Sequence, residues 1–112
     1  MIIGKEFKFE AAHYLPGHPK CGRPHGHTYH VWVEVKGEVD PYTGMVMDLH
    51  DLGDEVNFLI NPWDHDNLNA FFTIPTCENI CQVLWDHLAL HIPLHSVKVQ
   101  EGVGGYAIYY GT

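Results

Sequence analysis

Three histidines pose the first chemical question in this sequence. His25 and His27 stand two residues apart in HGH, and His13 closes the upstream segment FEAAH. In an extended chain, residues two apart project from one face about 6.5 Å apart at the backbone, so both imidazoles can reach one ion. His13 ends the apolar face of the preceding alternating stretch, and pairing the two stretches in register supplies a third nitrogen. Three imidazoles with an open fourth position are the ligand set of a catalytic Zn²⁺, which polarises oxygens and acidifies what it binds. A lone His on an apolar face is more often a half-buried residue with its hydrogen bonds satisfied. Three on one surface reverse that balance. His18, His30, His50, His87, His91 and His95 show no such arrangement and read as surface or loop residues.

Other groups fall within reach of that cluster. Cys21 lies in the loop just before HGH. A nearby cation would stabilise its thiolate and make it a usable base; the alternative is an inert loop thiol. Asp64 and His65 form an acid-imidazole pair that either orients and relays a proton or caps a turn beside a solvent-facing His. Glu101 ends a face carrying Val97 and Val99, where a carboxylate either pairs with a cation or awaits a ligand offering N–H donors. Cys77 and Cys81, four apart on an apolar stripe, read as small buried hydrophobes without chemistry.

These side chains need elements to hold them. From Ile3 to His13, Phe7, Phe9, Ala11 and His13 share one side of a strand while Glu6, Lys8 and Glu10 share the other. After a loop rich in Pro and Gly, His25, His27, Tyr29, Val31, Val33 and Val35 share one face of a second strand. Helical spacing from about Asp48 to Ile60 gives a first helix; a second begins at Pro75 and Thr76 and is stopped by Pro93. Strands through Val97–Glu101 and YAIYY finish the chain. The order β-β-α-α-β-β predicts an α+β domain over residues 1–112, an antiparallel four-stranded sheet with two helices on one face.

Composition bounds the partners. The net charge of −8, with six Lys and Arg residues and no basic run, speaks against nucleic acid and against an anionic membrane surface. No apolar run is long enough to span a bilayer, and the N-terminus lacks the pattern of a signal peptide. An odd number of cysteines, three, fits reduced thiols in the cytoplasm. A chain of 112 residues buries only a modest core, so assembly with sister subunits is expected.

The blocks FEAAH, CGRPHGHTYH, GMVMDL, WDHDNLN, PTCENI and VQEG closely resemble, in order, the 6-pyruvoyltetrahydropterin synthase and QueD family. The resemblance implies a tunnelling fold (T-fold), in which such subunits join their sheets into a barrel and stack as a homohexamer, a dimer of trimers with sites at subunit interfaces. It implies that His13, His25 and His27 hold zinc and that Cys21 is the general base. Asp64 and His65 would assist proton transfer, Glu101 would anchor the pterin and join the relay, and Thr76 would add a polar contact to the ring.

Three residues between the cysteine and HGH match the QueD type. The implied activity is therefore 6-carboxy-5,6,7,8-tetrahydropterin synthase, acting on 7,8-dihydroneopterin triphosphate on the route to queuosine. The alternatives are a 6-pyruvoyltetrahydropterin synthase or other pterin side-chain lyase, and a metal- or pterin-binding module without catalysis. After Glu101 the chain reads GVGGYAIYY where the family commonly has Thr, a departure at the pterin contact. Against an acidic chain, Lys20 and Arg23 would offset charge near a triphosphate, or the phosphates would stay in solvent.

Overall fold

Alternation of apolar and polar residues lays down two long strands at the start of the chain. The computed structural model describes all 112 residues, with β1 at Ile2–His13 and β2 at His25–Lys36. They pair antiparallel, with Phe7 opposite Val31, Phe9 opposite Tyr29 and His13 opposite His25. Because side chains alternate across a sheet, this register puts both apolar sets on one face. Tyr29, Val31, Val33 and Val35 are fully buried there, and the Phe9 and Tyr29 rings stack 4.9 Å apart.

Helix α1, Leu49–Ile60, starts where Asp48 accepts the His50 N–H at 2.8 Å, satisfying an amide that the first turn leaves free. It buries Leu52, Gly53, Val56 and Ile60. Gly53 marks a close approach: a Cβ there would stand 2.7 Å from Lys5 Nζ, the flexible end of its side chain. Helix α2, Cys77–Leu88, is capped by Thr76, whose hydroxyl oxygen accepts the Asn79 N–H at 3.2 Å, and buries Cys77, Ile80, Cys81, Leu84 and Leu88. Strands β4, Leu94–Glu101, and β5, Gly105–Tyr109, complete the antiparallel part of the sheet. Both helices join the apolar sheet face in one core of 21 buried residues. The opposite face, bearing Glu6, Glu10, His30, Trp32 and Glu34, has no helix over it and is half-buried to exposed.

The expected α+β order is present, with one correction to the sheet. It is mixed and has five strands: with a short β3 at Asp66–Asn67, the order is β3-β1-β2-β4-β5. Strand β3 runs parallel to β1, with Ala11 opposite Asp66 and Ala12 opposite Asn67. Two polar residues are too short for alternation to reveal, and hydrogen bonds made by the neighbouring loop hold them in place.

Candidate metal centre

The register that builds the core also delivers the imidazoles. His13 and His25 face each other as the last pair of the β1–β2 ladder, His27 sits opposite Ala11, and Tyr29 sits opposite Glu101 of β4. Nitrogens of His13, His25 and His27 and a carboxylate oxygen of Glu101 consequently gather within 4.8 Å of one another. His13 is fully buried, and the other three are partly so.

Backbone carbonyls fix how two of the rings present themselves. His13 Nδ1 lies 2.9 Å from the Pro75 carbonyl, and His25 Nδ1 lies 2.7 Å from the Arg23 carbonyl. A carbonyl only accepts, so each ring donates its proton through Nδ1 and turns the Nε2 lone pair inward. The Tyr29 hydroxyl stands 3.0 Å from the same His13 nitrogen, a further contact on the outer side of that ring. In this tautomer the two inward Nε2 atoms, 3.0 Å apart, both present lone pairs, an arrangement that a shared cation would satisfy. Nitrogens bound to one tetrahedral ion at about 2.05 Å stand about 3.3 Å apart.

The third ring fits the same reading. His27 Nε2 is buried without a hydrogen bond, although Glu101 Oε1 lies 2.9 Å away, out of line for one. Burial pulls the His27 pKa below its ordinary value; Glu101 opposes this, and His13 and His25 reinforce it. A neutral imidazole with an unsatisfied nitrogen beside two inward lone pairs is a donor set suited to a divalent cation. Outer hydrogen bonds of the kind made by Pro75 and Arg23 orient metal-binding imidazoles generally.

Glu101 reaches the cluster through Oε1, 3.8 Å from His13 Nε2. Its Oε2 lies 3.9 Å from the Cys77 sulfur. Burial, with Glu101 next, pushes that thiol up to about 12, so Cys77 is a neutral S–H donor beside the site as well as a core residue.

The remaining candidates lie outside the cluster. Cys21 is half-buried in the β1–β2 loop and is not among the converging ligand atoms. Asp64 and His65 do form a pair, Oδ2 to Nδ1 at 3.0 Å. Asp64 Oδ1 accepts the Glu10 N–H at 2.9 Å, and that bond, followed by the one from His65, holds its carboxyl below the usual range. His65 has a left-handed backbone, φ 59°, while its N–H donates to the Glu10 carbonyl and its side chain projects into solvent. It shares with His27, Glu10, Ala12, Gly26 and Thr28 the rim of an open pocket of about 530 Å³. The Thr76 hydroxyl oxygen caps α2, which leaves its own proton free to donate.

Sequence reasoning missed the groups that orient the histidines. Main-chain carbonyls of Arg23 and Pro75 have no residue-type signature. Tyr29 was marked by sharing a face with His25 and His27. In WDHDNLN, Asn69 accepts the Tyr14 N–H at 2.9 Å and donates to the Tyr14 carbonyl at 3.0 Å, clamping the chain just after His13.

The family model described as 6-pyruvoyl tetrahydropterin synthase matches residues 2–112. A protein of Archaeoglobus fulgidus, provisionally named a 6-carboxy-5,6,7,8-tetrahydropterin synthase, is 49% identical over 96% of this chain and 93% of its own. The 6-pyruvoyl tetrahydrobiopterin synthase of Homo sapiens is 41% identical over 82% of this chain and 71% of its own. The structure of Caenorhabditis elegans 6-pyruvoyl tetrahydropterin synthase superposes with a TM-score of 0.90 at 28% identity, over 100% of this chain and 96% of that one. With matching order of elements, a shared T-fold and a match along nearly its whole length, this chain belongs to the 6-pyruvoyl tetrahydropterin synthase family.

Proposed function

We propose that this chain is a zinc-dependent 6-carboxy-5,6,7,8-tetrahydropterin synthase. It would convert 7,8-dihydroneopterin triphosphate and water into 6-carboxytetrahydropterin, acetaldehyde and triphosphate, a step toward queuosine. The observation that carries the reading is the convergence of three histidine nitrogens, two turned inward by carbonyls and the third unsatisfied. Atoms balance without an oxidant: of the three side-chain carbons, one ends as the carboxyl and two leave as acetaldehyde. The likeness to the Archaeoglobus protein and the three residues between Cys21 and His25 favour this product.

His13, His25 and His27 would hold the zinc, which when bound supplies a Lewis acid for side-chain oxygens and acidifies the adjacent C–H. Cys21, as thiolate, would take that proton and return it at a neighbouring carbon, triggering loss of triphosphate and later carbon-carbon cleavage. Asp64, kept ionised by the Glu10 N–H, would orient His65 to pass protons at the rim of the pocket. Glu101 would accept ring N–H and amino donors of the pterin, with the Cys77 S–H steadying its other oxygen. Thr76 would donate its hydroxyl proton to the ring.

The bare sheet face and the unpaired edge of β5, with Tyr106, Ile108 and Tyr110 exposed, support assembly into a homohexamer as a dimer of trimers. Sites would then form at subunit interfaces, where a neighbour's Asp64 and His65 can complete a set that one chain spreads apart. No helix is long and apolar enough to cross a membrane, and free thiols support a cytoplasmic setting.

The human relative favours a second reading, 6-pyruvoyl tetrahydropterin formation at the same centre. Incubation of the purified protein with dihydroneopterin triphosphate separates the two. Acetaldehyde with a 6-carboxy product supports the first, and a product that keeps three side-chain carbons supports the second. A native protein purified without chelators and free of zinc would overturn the metal assignment.

A further inference from the structure

The loop that carries Cys21 is folded around another histidine. Leu15 donates its N–H to the Cys21 carbonyl at 2.6 Å, His18 to the Leu15 carbonyl at 3.1 Å, and Gly22 to the His18 carbonyl at 3.0 Å. Inside this turn, His18 Nδ1 lies 2.8 Å from the Cys21 nitrogen and 3.2 Å from the Lys20 nitrogen. Both partners are N–H donors, so Nδ1 accepts from them through its lone pair.

This is the bonding of an Asx turn made with an imidazole. The Nδ1 of His and the Oδ1 of Asn are both attached to Cγ, so they reach the same distance from the backbone. Gly22 closes the turn, because a Cβ there would stand 2.5 Å from the His18 carbonyl oxygen. Cys21 is thereby held on both sides of its Cα, its N–H by the His18 side chain and its carbonyl by the Leu15 N–H. All of these contacts use its backbone and leave the sulfur to substrate.

We propose that His18 is a positioning residue for Cys21, fixing the backbone in the orientation from which the thiol serves the reaction. This rests on Cys21 being the proton-moving base. The neighbouring lysine amide adds a second donor to the same nitrogen, so the imidazole stabilises the whole Pro19–Gly22 arc.

The test uses the full-length, zinc-loaded protein as wild type, His18→Ala, His18→Asn and Cys21→Ala. One readout is the rate of Cys21 alkylation by iodoacetamide, localised by peptide mass. Cys77 and Cys81 are buried, with thiols pushed up to about 12 and about 11, so they stay unreactive. The other is kcat and KM with dihydroneopterin triphosphate. His18→Ala should alkylate at least threefold faster and lose at least tenfold in kcat, with KM and zinc content within twofold. His18→Asn should restore both rates.

Wild-type alkylation and kcat in His18→Ala would overturn the proposal, as would an Asn variant that behaves like Ala. Should His18→Ala fail to fold, His18→Asn against His18→Gln decides, since the Gln acceptor sits one carbon farther out. Equal impairment of those two, or none in either, overturns it, and a wild-type Asn variant beside an impaired Gln variant supports it. Full turnover by Cys21→Ala would remove the base assignment, and the alkylation rates alone would then judge His18.

Discussion

The imidazole cluster and the loop residues proposed to carry protons are held in opposite ways. His13, His25 and His27 sit on paired strands, with two rings pinned from behind by the carbonyls of Pro75 and Arg23. Cys21, Asp64 and His65 lie on loops, half-buried or exposed; Cys21 and His65 are tied through their backbone, and Asp64 by its carboxylate to the Glu10 N–H. A cation tolerates errors of only tenths of an ångström in its ligands, which strand register and buried hydrogen bonds can guarantee. A group that moves protons must meet substrate and exchange with solvent, which suits a residue on a loop. The difference teaches that this chain positions its imidazole cluster by tertiary register and its proposed acid-base groups by local turns.

The contrast breaks first at His13. His13→Ala should abolish zinc binding and with it all measurable turnover. It also strands the Pro75 carbonyl, at about 1–3 kcal/mol of stability. Elemental analysis and urea unfolding check both; retained zinc would show that the strand pair is not the essential platform. Next in size is Cys21→Ala, which should keep one zinc per chain and lose turnover by on the order of 10²- to 10⁴-fold. Loss of zinc in that variant would erase the distinction between the two regions.

Tyr29→Phe sharpens the comparison inside the metal centre. Phe fills the same core volume, and the lost hydroxyl contact on His13 should weaken zinc retention by about tenfold in a chelator competition. An unchanged affinity would mean that the Pro75 carbonyl alone orients the ring. Thr76→Ala is the smallest effect. It removes the cap of α2 and should cost about 1 kcal/mol in urea unfolding while kcat stays within twofold. KM should rise modestly through the lost hydroxyl contact to the pterin ring, and an unchanged KM would confine Thr76 to capping.

The strands and helices were legible because their signals are local. Phe7, Phe9, Ala11 and His13 alternate over a long stretch, and Asp48 and Thr76 announce helices through their capping side chains. Strand β3 was not legible, since Asp66 and Asn67 carry no period and owe their pairing to the chain around Glu10. Nor was the chemistry of Cys77: its place on an apolar stripe was visible, but not the carboxylate of Glu101 beside its sulfur. His18 looked like any loop histidine because hydrogen bonds from backbone amides to an imidazole leave no pattern in residue types.

By itself the sequence determined which faces are apolar, where the chain turns and that three histidines end on one side of two strands, because periodicity is a property of neighbours along the chain. Only the tertiary structure decided that His13 stands opposite His25, that Glu101 arrives from β4 and that Pro75 reaches back to His13. Those contacts join residues far apart in the chain and use main-chain atoms that every residue has, so packing and register alone could choose them.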